Sequence, residues 1–148
     1  MTKRLRKFCR LPSQHRHLLA KSVLLLGVVR LGLWLLPFQS LRRLLAHMMQ
    51  AHGAVQEGDQ ASMRQVVWAV TVASRYVPAA TCLTQALVTQ VLLSRRGHPA
   101  SMRIGVARSE AGEFQAHAWV ECRGRVVIGG AQAPLRFTPL PSLERERP

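Results

Sequence analysis

Negative charge is what this chain most lacks. Asp and Glu together number 7 against 21 Lys and Arg; there is no Asn, and the one Asp is Asp59. The shortage is steepest at the start, where the first 56 residues carry ten basic side chains and no acidic one. Such a stretch attracts nucleic acid, anionic lipid or acidic peptide with similar ease, because the Coulomb term reads sign and not chemistry. Aromatic residues are also few, at 5%. No RNP-like, zinc-finger or KH-type pattern interleaves with the Arg residues, so no nucleic acid is expected as partner. The three cysteines, Cys9, Cys82 and Cys122, are too few and too widely spaced for a disulfide framework. No C-x-x-C pair or Cys/His tract suggests zinc, so free thiols in a reducing cytoplasm, and neither metal nor other cofactor, are expected.

With 148 residues, 48% of them apolar, the chain can build one ordinary domain with its own core. Met1 to Arg10 reads as a solvated basic arm, followed by a helix start at Leu11-Pro12-Ser13 with Ser13 as N-cap. His17 to Leu36 is strongly apolar and stops at Pro37, giving one helix of about five turns. Lys21 and Arg30 interrupt it, and Arg30 would lie well inside a bilayer, so a buried or partner-facing helix is expected rather than a membrane span, with membrane association kept as a minor alternative. The long basic lead-in and the lack of a small-x-small cleavage site also argue against a secretory signal.

Ser40 to Gln50 and Ala61 to Arg75 show helical spacing, with His52 to Gln60 as the turn between them. After the break at Val77-Pro78-Ala79-Ala80-Thr81, a further helix is expected from Cys82 to Arg96, closed by Gly97 at C′. The period then changes to two. Strands are expected around Met102 to Val106, over Phe114 to Cys122, and over Arg125 to Ile128, with turns at Ser109 to Gly112 and Arg123-Gly124 and a proline-rich tail from Pro134. The fold class is therefore α+β, helices first and a small antiparallel sheet after. Residues 1–60 form a basic, Leu-rich helical region, and residues 61–148 the part carrying the chemistry.

A thiol is a poor nucleophile until ionised. A helix N-terminus, with unpaired N–H groups and the positive end of the macrodipole, favours the thiolate. Cys82 is expected at such an end, and its own N–H is a candidate to meet the oxyanion formed on attack at a carbonyl. His117, in mid-strand, is the candidate base and later proton donor to a leaving amine. It shares a strand face with Trp119 and Glu121, whereas Ala116, Ala118, Val120 and Cys122 share the other. Trp119 could shield the imidazole or simply pack in the core. Gln85, one turn after Cys82, is a candidate to line the cleft or donate to the substrate carbonyl. Lone Cys and His residues are more often packing residues than catalytic ones, so spacing alone does not establish the pair.

The local sequence adds to that spacing. Ser74-Arg75-Tyr76, Thr81-Cys82-Leu83-Thr84-Gln85-Ala86-Leu87, Leu92-Leu93-Ser94-Arg95-Arg96-Gly97, Ile104-Gly105-Val106 and Ala116-His117-Ala118-Trp119-Val120-Glu121 together resemble the maturation proteases of lasso peptide biosynthesis. The resemblance covers most of the chain, including the basic arm and the Leu-rich helix ending in Leu36-Pro37-Phe38. It implies a transglutaminase-like, papain-like cysteine-protease core with Cys82 and His117 as the catalytic pair. The implied substrate is a ribosomally made precursor peptide, cut to release its leader before a separate asparagine-synthetase-like macrolactam cyclase closes the ring. This chain looks like the stand-alone form, so a separate leader-recognition protein of the RRE type is implied; the basic, Leu-rich N-terminal helices are the candidate docking face for it, to be tested at Lys3 to Arg10 and Arg42-Arg43.

One departure stands out. The family commonly places an acidic residue about a dozen positions after the histidine to orient the imidazole. Here that region reads Val127-Ile128-Gly129-Gly130-Ala131-Gln132. Glu121 lies about 13 Å along the strand from His117, too far to serve. Gln132, Asp59 or a backbone carbonyl near Gly129 remain, with Gln132 ranked first. An acyl or amide transferase on the same fold, and a non-catalytic protein holding an acidic peptide, are the competing functions.

Overall fold

The computed structural model describes residues 2–50 and 60–141. The expected joining turn from His52, and Asp59 with it, lie outside the described residues, Gln60 being the first residue of the next helix. Five helices come first: α1 (Thr2–Cys9), α2 (Ser13–Leu35), α3 (Phe38–Gln50), α4 (Gln60–Ser74) and α5 (Cys82–Arg95). Strands β1 (Ala100–Arg108), β2 (Phe114–Cys122) and β3 (Arg125–Ile128) follow, then a short α6 (Ala133–Arg136) and a two-residue β4 (Thr138–Pro139). The fold is α+β, in the expected order.

Two details at the N-terminus correct the sequence reading. The basic arm is helical, because Thr2 to Cys9 contains neither Gly nor Pro and is rich in good helix formers; Leu11-Pro12 ends it. Ser13 is not a cap. Pro12 holds that position at φ −52° and ψ 147°, its carbonyl accepting from the N–H groups of His15 (3.0 Å) and Arg16 (3.1 Å), with no side-chain cap. At the other end Leu36 is extended, as a residue before proline must be, and its N–H still donates to Gly32 O at 2.8 Å. Gly32 lets α3 close in: a Cβ there would meet Leu41 Cδ1 at 2.8 Å.

α5 is the central element. It packs against β1, β2 and β3 on one side and against α2, α3 and α4 on the other. One apolar cluster joins Leu18, Leu26, Val29 and Leu41 to Val66, Val70, Val91, Leu93, Ala118 and Val120, so the residues before and after position 60 share a core. Burial on all sides explains why α5 is apolar around its circumference rather than along one stripe.

The sheet order is β3-β2-β1-β4. β1 and β2 pair antiparallel from Ala100↔Cys122 to Arg108↔Phe114. Arg123 and Gly124, with φ of 51° and 77°, make the two-residue β2–β3 turn, both in the region that a type I′ hairpin turn demands. The stretch from Pro134, expected as a proline-rich tail, instead turns back onto the sheet as far as it is described. β4 pairs with β1 through Gly105↔Pro139 and Val106↔Thr138, and Leu140 N–H donates to Ile104 O at 2.8 Å. β1 would otherwise be an exposed edge, and the returning segment covers it.

Candidate active site

Cys82 is the first residue of α5 and is half-buried, with a free thiol. Thr81 caps the helix: its φ of −70° and ψ of 168° are extended, and its Oγ1 accepts from Thr84 N at 3.4 Å. Gln85 turns back on the preceding loop, its Nε2 donating to Ala80 O at 3.1 Å. That bond uses one of the two amide hydrogens, so in this structure Gln85 holds the loop that delivers Cys82. The loop needs holding, because Ala79 sits at φ 56°, the left-handed region that a residue with a Cβ rarely adopts.

The helix and the His strand meet at one end of the molecule. Gln90 Nε2 donates to Ala100 O at 3.4 Å. From there Cys82 lies about 12 Å back along α5 at helical rise, and Ile104 about 13 Å forward along the returning β1. Ile104 pairs with Ala118, the neighbour of His117. Ala118 and Val120 face the helices, and His117 and Trp119 lie on the opposite face of β2. No hydrogen bond joins Cys82 to His117 among the described residues. The structure therefore does not bring the two side chains together: α5 lies on one face of the sheet and the imidazole on the other.

The imidazole of His117 is held from several sides. Its Nε2 lies 2.5 Å from Gly129 O. A carbonyl only accepts, so Nε2 carries the proton and Nδ1 is left as the basic nitrogen. The orienting group is therefore the Gly129 carbonyl, twelve residues after the histidine, and not Gln132. Gln132 is exposed and sits at the N-cap of α6, where its backbone carbonyl accepts from Leu135 N and Arg136 N. The ring also stacks against Phe137 (centroids 5.0 Å apart, planes at 27°) and Trp119 (6.4 Å, 22°). Trp119 is fully buried and fixed in turn, its Nε1 donating to Glu121 Oε1 at 2.9 Å, while Glu121 Oε2 lies 3.8 Å from Arg103 Nε. Glu121 thus anchors Trp119 rather than the histidine.

Two glycines make this arrangement fit. Gly129 has φ 101°, and a Cβ on it would stand 2.5 Å from Trp119 Cβ. Only glycine brings that carbonyl so close to the strand. A Cβ on Gly105, the register partner of His117, would sit 2.8 Å from both Phe137 Cβ and the far edge of the Trp119 indole. Phe137 escaped the sequence reading because it falls in the stretch taken as tail; the paired glycines at 129 and 130 were the available sign that the chain turns back there. Cys122 lies on the other sheet face and is buried, and burial pushes its thiol pKa up despite Arg123 beside it. It takes no part in this site.

A half-buried thiol opens a capped helix, and a histidine of fixed tautomer stands on the sheet face away from that helix; each has the chemistry for nucleophilic attack on a carbonyl or for proton transfer, but no hydrogen bond joins them among the described residues. A family model described as the transglutaminase-like superfamily matches residues 23–142. The chain belongs to that superfamily, whose members are typically cysteine-dependent enzymes, commonly peptidases or transferases. No curated protein and no solved structure matches the chain.

Proposed function

We propose that this protein is a cytoplasmic cysteine peptidase that removes the leader from a ribosomally made lasso peptide precursor. The observation that carries the peptidase reading is the Gly129 carbonyl on His117 Nε2, which leaves Nδ1 free to serve a thiol. The resemblance of the Cys82 helix and the His117 strand to lasso maturation proteases supports the substrate. His117 Nδ1 takes the thiol proton as Cys82 Sγ attacks the scissile carbonyl, and the Cys82 N–H faces the developing oxyanion. The same proton then goes to the departing amine, which is the N-terminus of the core peptide. Water, deprotonated by His117, cleaves the thioester and restores the thiol. Leader recognition comes from a separate RRE-type protein, and an asparagine-synthetase-like cyclase uses the freed amine.

The test is to incubate the purified chain with the precursor, with and without the leader-binding protein, and to read products by mass spectrometry. A single cut that disappears in Cys82→Ala and in His117→Ala is the expected result. Precursor binding without a cut, partner present, refutes the peptidase reading. A product carrying an added amine in place of hydrolysis identifies a transferase, the alternative that the superfamily match itself admits. Gly129→Ala displaces the orienting carbonyl and is expected to lower kcat/KM on the order of a hundredfold, the usual cost of misplacing a catalytic group by about an ångström. Gly130→Ala, at a glycine with open space around it, controls for strain from a positive φ alone.

A further inference from the structure

α2 has an outer face that the fold leaves bare. Leu18, Leu26 and Val29 are buried against the rest of the core, yet Leu24 (66% exposed), Val28, Leu31, Trp34 (79% exposed) and Leu35 point outward. Their spacing of three and four residues puts them on one side of the helix. Leu44 of α3, also exposed, adds an apolar residue beyond the corner at Pro37. Contiguous apolar area of this kind marks an interaction surface rather than ordinary scatter. By the same spacing Lys21 lies along one margin of the stripe and Arg30 along the other, with Arg43 beside Leu44; all three are exposed. At Gly27, within the stripe, an added Cβ would meet nothing within 4 Å, so the face is open there.

We propose that this face of α2 docks the protein on the surface of an anionic lipid bilayer. The match is one of shape and charge. An apolar stripe with an exposed tryptophan at one end and cations along its margins is what an interfacial helix presents, leucines sinking to the acyl boundary while Lys and Arg meet lipid phosphates. The complete lack of acidic residues in the first 56 positions removes any repulsion from such a surface. It also argues against a second copy of this chain as the occupant, because a symmetric contact would press two positive faces together. α2 is long and apolar enough to cross a membrane by length and composition, but its inner side is committed to α4 and α5. It therefore lies on the bilayer instead of spanning it. The proposal is independent of the peptidase reading, since nothing at Cys82 or His117 enters it.

The test uses the full chain with vesicles of phosphatidylcholine and phosphatidylglycerol in equal parts, against vesicles of phosphatidylcholine alone. Co-sedimentation with the anionic vesicles only, weakened by salt, is expected, together with a blue shift of tryptophan emission that Trp34→Phe removes. Leu24→Ser combined with Leu31→Ser, both at exposed positions, should weaken partitioning by at least about tenfold while leaving thermal unfolding unchanged. Failure to bind anionic vesicles at low salt overturns the proposal. So does binding that the double variant leaves intact, which would mean charge alone is responsible. A chain that ignores vesicles but dimerises, or holds the leader-recognition protein, through the same leucines would assign the face to protein instead.

Discussion

α2 and α5 are both strongly apolar helices, and composition hardly separates them. Their places in the fold do. Nine of the fourteen residues of α5 are buried, against six of the twenty-three of α2. α5 is enclosed by helices on one side and the sheet on the other, and its N-terminus presents the thiol. α2 covers the same core from outside and keeps a leucine-rich face in the open. Apolar content records that a helix will be covered by something; it does not say whether the cover is the rest of the chain.

The comparison can be broken most directly by truncation. Leu93→Ala, in the interior of α5, is expected to cost about 2–5 kcal/mol of stability, whereas Leu31→Ala on the outer side of α2 should stay within about 0.5 kcal/mol. Urea unfolding of the two variants reads both numbers, and equal losses would mean that α2 is covered in solution as fully as α5. The helix starts sharpen the contrast further. Thr81→Ala removes the cap of α5 and should cost about 1 kcal/mol, with a matching loss of turnover as Cys82 loses its setting. Ser13→Ala, at a start that no side chain caps, should change nothing measurable in the same assay.

The smallest effect concerns the seam between the two helices. Lys21 of α2 has its pKa lowered, first by desolvation and then by the positive charges of Arg95 and Arg96 at the end of α5. The folded state therefore holds this proton less tightly than the unfolded chain does. Stability should rise slightly with pH as Lys21 deprotonates, over the interval from its lowered folded value up to the ordinary 10.5. Lys21→Met should abolish that rise and give a small gain at neutral pH, seen by comparing melting temperatures across pH. A variant whose alkaline profile matched the parent would show that the helices do not press these charges together.

Much of the site was legible in one dimension. A thiol at the first position after a Pro-Ala-Ala-Thr break, a histidine in a strict alternation, and a glycine at the end of the Cys helix are local signals. The orienter was only half legible. The absence of Asn and of a second Asp excluded the usual side chains, and a carbonyl near Gly129 stood among the alternatives, yet Gln132 ranked above it because side chains are what a sequence displays. Backbone carbonyls are identical at every residue, so only the turn at Gly129, φ 101°, could reveal which one reaches the ring. Phe137 was illegible for a related reason: it stands between a one-turn helix and a two-residue strand, both too short to show a period.

What the sequence alone determined is the order of elements, the face-sharing of His117, Trp119 and Glu121, and the charge asymmetry, because these follow from local propensity, period and composition. The tertiary structure alone decided which apolar helix is enclosed, which carbonyl holds the histidine and how the returning segment closes the sheet edge. Those three depend on contacts between residues far apart in the chain, and on room that only Gly105 and Gly129 leave once Trp119 is in place.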